Sequence, residues 1–214
     1  EMLVHVPMFI HDNPERVLII GGGDGGAARE VLKHDPEKVV IAEVDRDVVE
    51  LCRKYIKIDE GAFDDGRVEL KITDGKEFVK KCEKFDVIIV DSTDPVSVSM
   101  SLFDEEFFSL ASEKCDVFSC QSQSPLVQKE YFYSLLKNSS AFKNRRIYLS
   151  YVPTYPLSLW SFLLAGSKLD IEFDELKARF RDREIKTKYY NPEIHFASFS
   201  LPEWLKEELK DVLK

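Results

Sequence analysis

The stretch RVLIIGGGDGG, residues 16–26, joins a short apolar run to a loop of five glycines and one aspartate. Residues 16–20 predict a buried β-strand, and residues 26–34 predict a helix that begins where the loop ends. Glycines allow a tight turn and a close approach of the backbone to a ligand, and the first turn of a helix offers free N–H donors. This order predicts a doubly wound α/β fold whose loop, through Gly21, Gly23 and Gly25, binds a nucleotide or nucleoside. The alternative is a packing turn without a ligand.

The first two-thirds of the chain repeat this alternation of strand and helix, which is typical of a parallel sheet. Further strands are predicted at residues 38–43, 67–73, 85–90 and 116–120, and helices at 47–55, 75–81, 104–111 and 126–137. In the last third, strands are predicted at 146–152, 160–165 and 195–200, and helices at 170–183 and after a capping box at 200–203. We expect one domain over residues 1–214 that enters its first strand almost at once. Its sheet is expected to be mostly parallel, with antiparallel C-terminal strands.

Composition and charge exclude several classes of protein. The 214 residues carry a formal net charge of −9, which argues against a nucleic-acid or membrane surface and suits a cationic small molecule. No apolar run approaches the ~18 residues of a membrane span. The cysteines have no CxxC spacing and no accompanying histidines, so we expect reduced thiols in a cytoplasmic protein. They are Cys52, Cys82, Cys115 and Cys120.

Glu43 ends the second predicted strand, 20 residues after Gly23. At this position of a nucleotide-binding sheet, a carboxylate can accept hydrogen bonds from both ribose hydroxyls. Asp45, two residues further on, faces the same side if the strand geometry continues. We assign the ribose to Glu43 first. Asp45 is either a second ribose ligand or the N-cap of the following helix.

Carboxylates follow each of the first four predicted strands, at the edge where ligands of open α/β sheets bind. They are Asp24, Glu43, Asp74 and Asp91, with Asp94 one turn beyond the last. Five negative charges in one crevice repel one another unless a cation lies among them. Metal sites usually add histidine or a denser ligand set, so we predict no metal and favour a diamine. Asp24 agrees with this choice, since it would repel both phosphates and the carboxylate of S-adenosylmethionine.

The segment Asp91-Ser92-Thr93-Asp94-Pro95 carries the predicted chemistry. Asp91 ends a buried strand, where desolvation raises the pKa of a carboxyl group toward that of a useful general base. Asp94 precedes Pro95, which favours an extended loop. The alternative is a strand-end aspartate followed by an Asx turn.

Three further residues have two interpretations each. Asp74, before Gly75, either accepts a hydrogen bond from an adenine amino group or caps the helix at 75–81. Tyr155 and Trp160 lie within and just after a proline-rich turn at 153–156. They either line an amine channel through cation–π contact or pack as ordinary aromatic residues.

Taken in order and at their spacing, these motifs resemble the spermidine synthase (polyamine aminopropyltransferase) family over nearly the whole chain. The resemblance implies a Rossmann-like fold of the class I methyltransferase type. A methyltransferase would share that fold but not this set of segments. The matching segments are EMLVHVP at 1–7, the loop at 21–26, Arg29-Glu30-Val31, Glu43-Val44-Asp45, Asp74-Gly75, the segment at 91–95, Leu102-Phe103, the turn at 153–156 and YYNPEIH at 189–195.

The family transfers an aminopropyl group from decarboxylated S-adenosylmethionine to an amine and releases 5'-methylthioadenosine. The resemblance implies that Asp91 is the general base, that putrescine is the acceptor, that the donor is a co-substrate with no further cofactor, and that the chain forms a homodimer or homotetramer. Implied donor contacts are Gly21, Gly23, Asp24, Gly25, Glu43, Asp45, Asp74, Gly75 and Asp91. Implied acceptor contacts are Asp24, Asp91, Ser92, Asp94, Tyr155 and Trp160.

Two departures from the family pattern bear on activity. Family members carry an N-terminal β-stranded domain ahead of the position of Glu1, which supplies a donor-site Gln and a Tyr-His pair, and we expect this chain to lack it. The family loop after Asp94-Pro95 continues Gly-Pro-Ala, whereas residues 96–100 here are VSVSM, so lid closure or acceptor choice is expected to differ.

A non-catalytic nucleoside- or polyamine-binding protein and a methyltransferase are the alternative functions. We expect the histidines to be structural or surface residues: His5, His11, His34 and His195.

Overall fold

The chain forms a seven-stranded sheet covered by helices on both faces. The computed structural model describes residues 1–94, 97–155, 157, 159–210 and 212–213, with the side chains of Ser97 and Val98 left out. The strands are β1 (Arg16–Gly21), β2 (Lys38–Glu43), β3 (Val68–Ile72), β4 (Phe85–Asp91), β5 (Cys115–Gln123), β6 (Asn144–Tyr151) and β7 (Leu159–Gly166). Their order in the sheet is β3-β2-β1-β4-β5-β7-β6.

The first five strands are parallel, and β7 runs antiparallel to both β5 and β6. The order reverses between β1 and β4, where Gly21 is paired with Asp91. A reversal of this kind opens a crevice outside the carboxyl ends of the strands. The fold is therefore the predicted doubly wound α/β fold, with a mostly parallel sheet and antiparallel pairing of the C-terminal strands.

Alternate residues of each strand pack against opposite helical layers, as in Val17 and Ile19 against Leu18 and Ile20. The first layer contains α1 (Met2–Ile10), α2 (Gly26–Leu32), α7 (Phe173–Asp182) and α8 (Pro192–Ser198). The second contains α4 (Gly75–Lys81), α5 (Glu105–Lys114), α6 (Lys129–Asn138) and α9 (Glu203–Leu209). Helix α3 (Arg46–Leu51) continues into a π-helical turn, and a 3-10 segment, Ser97–Phe103, follows β4.

Helix α1 contradicts the prediction that the chain enters its first strand almost at once. It is buried on nearly all sides, with Val6, Met8 and Phe9 fully inaccessible. A helix without a polar face shows no amphipathic period, so the sequence pattern did not reveal it. No helix among the described residues combines the length and apolar character needed to cross a membrane.

The predicted edge strand at 195–200 is also wrong, because these residues belong largely to α8. The side chain of Asn191 accepts a hydrogen bond from Ile194 N at 2.7 Å, and Pro192 occupies the first turn. These start signals outweigh the alternating pattern that followed them. The predicted capping box at 200–203 does not form either, since Pro202 itself is the N-cap of α9 and makes no side-chain hydrogen bond.

Candidate active site

The glycine loop crosses the crevice between β1 and β4. Gly21 has a φ of 79°, and a Cβ there would lie 2.3 Å from the backbone oxygen of Asp91, so only glycine fits. Within the loop, Asp24 Oδ1 accepts a hydrogen bond from Gly26 N at 2.8 Å. Gly25 forms the turn into α2 against Asp59 and is not among the described residues that line a cavity here.

Glu43 and Asp45 lie beside this loop but have different local partners. A Cβ on Gly23 would lie 3.0 Å from Glu43 Oε2, so the Glu43 carboxylate touches the loop. Glu43 Oε1 accepts from Asp45 N at 2.9 Å. Asp45 Oδ1 accepts from Asp47 N and Val48 N at 2.9 and 3.2 Å and caps α3, as the alternative interpretation predicted.

Asp74 caps a helix at the edge of the crevice, and its contact with adenine stays a prediction. Its Oδ1 accepts from Glu77 N at 2.9 Å and caps α4, while the residue also lines the crevice. Gly75 allows α4 to pack closely on β1, because a Cβ there would lie 2.3 Å from Ile20 Cγ2.

Two cavities meet at the crevice. The larger, of about 780 Å³, lies along the carboxyl ends of β1 to β4. The smaller, of about 450 Å³, lies between the glycine loop, α1 and the start of β7. Both are lined by Asp24, Asp91, Gln121 and Tyr155. The larger is also lined by the predicted residues Gly21, Gly23, Glu43, Asp45, Asp74, Gly75 and Ser92, and the smaller by Trp160.

Asp91 therefore stands at the junction of the two cavities. Burial, followed by the negative charge of Asp24, raises the pKa of the Asp91 carboxyl group to about 6. A hydrogen bond from Gln121 acts in the opposite direction. The carboxylate is ionised at neutral pH and is much more basic than an exposed aspartate, which suits a general base.

Gln121 was not predicted from the sequence. Its Nε2 lies 3.5 Å from Asp91 Oδ1 and 3.3 Å from Ser92 O, and its Oε1 accepts from Trp160 Nε1 at 3.1 Å. Nothing in the local sequence marks this glutamine. Its place at the carboxyl end of the fifth predicted strand, where ligands bind, is the signal that could have found it.

Tyr155 and Trp160 stack, with ring centroids 4.1 Å apart and an interplanar angle of 28°. Tyr155 is 37% exposed and faces both cavities, whereas Trp160 is 2% exposed. Burial, with the charges of Asp94 and Asp91, raises the pKa of Tyr155. Trp160 therefore packs as a buried aromatic residue and Tyr155 lines both cavities, while an amine contact of either residue stays a prediction.

Asp94 is turned toward α6. Its Oδ2 accepts from Gln128 Nε2 at 3.1 Å, and among the described residues it lines neither cavity. An acceptor contact from Asp94 stays a prediction. Pro95 and Val96, which carry the extended-loop prediction and the start of the VSVSM departure, and Pro156 of the proline-rich turn lie outside the described residues.

One group of possible metal ligands occurs among the described residues, away from the cavities. His11, Asp86 and Asp116 place one ligand atom each within 4.8 Å of one another near the amino ends of β4 and β5. Asp86 already accepts hydrogen bonds from Glu15 N and Arg16 N, and Asp116 pairs with Lys84. One oxygen of each carboxylate therefore already has a protein partner.

Three of the histidines are buried and line neither of these two cavities, as predicted for structural residues. They are His5, His34 and His195. His5 contacts Glu30 Oε2 and His34, each at 2.8 Å, and Arg183 contacts the other ring nitrogen of His34 at 2.9 Å. Burial lowers the pKa of both His5 and His34. His195 Nδ1 lies 2.8 Å from the Tyr190 hydroxyl, and burial lowers its pKa to about 3. All four cysteines are free thiols, as predicted.

Comparison with known proteins agrees with this geometry. Residues 1–175 match the spermine/spermidine synthase domain. A polyamine aminopropyltransferase of Archaeoglobus fulgidus is 61% identical over 98% of this chain and 77% of its own length, and one of Thermotoga maritima is 46% identical over 98% and 73%. The crystal structure of a spermidine synthase in complex with the transition-state analogue AdoDATO superposes with a TM-score of 0.91 at 44% identity, over 98% of this chain and 74% of the other. The methyltransferase and the non-catalytic binding protein are not favoured by these relatives. The chain therefore belongs to the spermine/spermidine synthase family of aminopropyltransferases.

Proposed function

We propose that this chain transfers an aminopropyl group from decarboxylated S-adenosylmethionine to a diamine, with Asp91 as the general base. The observation that carries this proposal is the position of Asp91 between two cavities, with a pKa raised to about 6. A bisubstrate transfer needs two adjoining sites and a proton acceptor between them. The likeness to a spermidine synthase that binds AdoDATO supports the assignment.

The larger cavity is the proposed donor site. Glu43 would accept hydrogen bonds from the ribose hydroxyls, and Asp74 would face the adenine. Asp24 and Asp91 would hold the ammonium group of the aminopropyl chain. The carboxylates at this edge suit a donor that has lost its own carboxylate. Such a donor carries positive charges on its sulfonium and its ammonium group and has no negative charge.

The smaller cavity is the proposed acceptor site. Tyr155 offers an aromatic wall to an alkylammonium ion. Asp91 would take a proton from the attacking ammonium group, and the freed amine lone pair would form a bond to the carbon next to the sulfonium. The carbon–sulfur bond would break with its electrons moving to sulfur, which releases neutral 5'-methylthioadenosine. Because the sulfonium is already an activated leaving group, the proposed step uses no cofactor.

Putrescine is the proposed acceptor, with spermidine as product. The test is a turnover assay with decarboxylated S-adenosylmethionine, a panel of di- and triamines, and release of methylthioadenosine as the readout. We expect release that depends on one amine and is lost in Asp91→Asn. Donor binding without release of methylthioadenosine with any amine would contradict the proposal.

A cytoplasmic homodimer or homotetramer is the proposed assembly, on family likeness alone, and light scattering tests the stoichiometry.

A further inference from the structure

Gln123 ends β5 in a conformation that a strand residue rarely adopts. Its φ is 70°, and the pairing of β5 with β7 shifts register between Gln121 and Gln123. Ser161 Oγ donates to its backbone oxygen at 2.5 Å, which holds the shifted chain in place. A positive φ is strained for a residue other than glycine, and such strain is retained mainly at functional sites.

The shift changes the face on which the Gln123 side chain lies. Regular alternation would place it with Val117, which packs in the layer of α1. It instead lines a cleft with residues of α6 and of the segment Ser97–Phe103. We call this cavity of about 180 Å³ the Gln123 cleft, and its walls include Gln123, Met100, Phe103, Asp104, Tyr131 and Leu135.

The amide oxygen of Gln123 has no hydrogen-bond partner in the described part of the chain, although the residue is only 2% exposed. A buried unpaired acceptor is costly, and in native structures it usually has a partner such as a ligand or water. Because Gln123 lines the cleft, a hydrogen-bond donor bound there would supply this partner.

The other walls narrow the chemistry of that donor. Among the described lining residues none is lysine or arginine. The Asp104 carboxylate lies at the cleft, where its Oδ1 accepts from Phe107 N at 2.8 Å and its Oδ2 accepts from Lys76 Nζ at 2.6 Å. Tyr131 presents a half-exposed ring, and Met100, Phe103 and Leu135 supply apolar surface. The Gln123 amide oxygen, the Asp104 carboxylate, the Tyr131 ring and the apolar walls together suit a short alkylammonium ion.

The Gln123 cleft shares one wall with the larger cavity. Met100 and Phe103 face the cleft, whereas Ser99 and Leu102 of the same 3-10 segment line the larger cavity. When two ligands favour particular arrangements of this segment, binding of one changes the affinity for the other, and the coupling is reciprocal. We propose that the Gln123 cleft binds an alkylammonium ion, separately from the acceptor cavity, and that this binding is coupled to nucleoside binding in the larger cavity.

The three methionines of the chain allow a direct test. In protein labelled with ¹³C-methyl methionine, Met100 reports on the Gln123 cleft, Met2 reports on the smaller cavity, and the buried Met8 is an internal control. Titration with propylammonium chloride should shift the Met100 signal saturably, with 1-propanol at equal concentration giving at most a far weaker effect. A response of Met2 alone, or an equal response to 1-propanol, would overturn the proposed site.

Variants separate the cleft from the acceptor cavity. Gln123→Leu removes the amide oxygen that would accept a hydrogen bond from the ligand. Ser134→Leu fills the cleft from an exposed position of α6 that tolerates leucine. Each should weaken the Met100 response at least about tenfold, whereas Asp91→Asn should leave it unchanged. Persistence of the response in both leucine variants would refute the site.

The coupling has its own readout. Saturating 5'-methylthioadenosine should change the midpoint of the Met100 titration by about fivefold or more. An unchanged midpoint with nucleoside bound would refute the coupling. Failure of the nucleoside to bind would count against the proposed donor site, while the Met100 titration without nucleoside would still decide the cleft.

Discussion

The indole N–H of Trp160 fixes the orientation of the Gln121 amide. An indole N–H can only donate, so the atom that it meets at 3.1 Å is the amide oxygen. The amide nitrogen of Gln121 consequently faces Asp91 and the backbone oxygen of Ser92. A buried tryptophan on β7 thereby controls a hydrogen bond to the proposed base on β4.

Trp160→Phe tests this relationship. Phenylalanine keeps an aromatic ring beside Tyr155 but has no N–H, so the Gln121 amide becomes free to rotate. We expect kcat to fall about fivefold to tenfold, the value of one hydrogen bond. The acidic limb of the kcat/KM profile should move to higher pH, because the bond from Gln121 lowers the pKa of Asp91. Gln121→Leu, which removes the amide itself, is the matched variant and should shift this limb in the same direction. An unshifted limb in both variants would contradict the role of Gln121.

Asp91→Asn should lose activity and gain stability. Removal of the proposed base should lower kcat at least ~10²-fold. The pKa of Asp91 in the folded state, about 6, lies above the ordinary value of an aspartate. The contribution of this carboxyl group to stability is therefore complete at low pH and is lost as the pH rises through 6. At pH 7.5 asparagine should therefore raise the free energy of unfolding by up to about 3 kcal/mol, and the gain should vanish near pH 4. Urea unfolding of both proteins at the two pH values measures this difference, and equal stability at pH 7.5 would contradict it.

Glu43→Gln and Asp45→Asn separate ligand binding from helix capping. Loss of the Glu43 charge should weaken donor binding about tenfold to a hundredfold, the range for hydrogen bonds to charged groups. Asparagine at 45 keeps the oxygen that caps α3 and should leave the affinity nearly unchanged. Calorimetry with methylthioadenosine distinguishes the two variants. Equal losses would show that Asp45 also binds the ribose.

Lowering the pH from 7 to 5 should destabilise the fold, before carboxyl groups with ordinary pKa values are protonated. Burial lowers the pKa values of His5, His34 and His195, which the unfolded chain protonates near its ordinary value of 6.5. Lowered histidine pKa values stabilise the fold fully above pH 6.5, and the stabilisation is lost as the pH falls below it. Each histidine should contribute up to about 1.4 kcal/mol per pH unit. Urea unfolding at pH 7 and pH 5 measures the change, and a constant free energy of unfolding would contradict the prediction.

The parallel part of the fold could be predicted from the sequence because its signals are local. The strand at 16–20, the glycine loop and Asp91 at the end of a buried run each combine residue type with position. Since parallel strands end at one edge, these residues had to meet there. The same logic placed Asp24, Glu43 and Asp74 around the larger cavity.

Other parts depend on contacts that no local pattern contains. Helix α1 is buried on nearly all sides and therefore lacks a helical period. The Gln121 amide acquires its orientation only through Trp160 of β7, a strand from a distant part of the chain that lies next to β5. Asp94 turns toward Gln128 of the segment before α6, a partner 34 residues away. The helix at 192–198 was missed although its Asn191-Pro192 start signal is present in the sequence.

The antiparallel direction of β7 has an evolutionary consequence. It brings the beginning of a strand, rather than its end, to the edge where the parallel strands finish, so the connection from β6 to β7 forms one wall of the smaller cavity. A hairpin connection can lengthen or shorten without disturbing the crossover helices that keep β1 to β5 in register. Mutation in this one stretch is therefore expected to change the proposed acceptor site while most of the proposed nucleoside site is inherited unchanged.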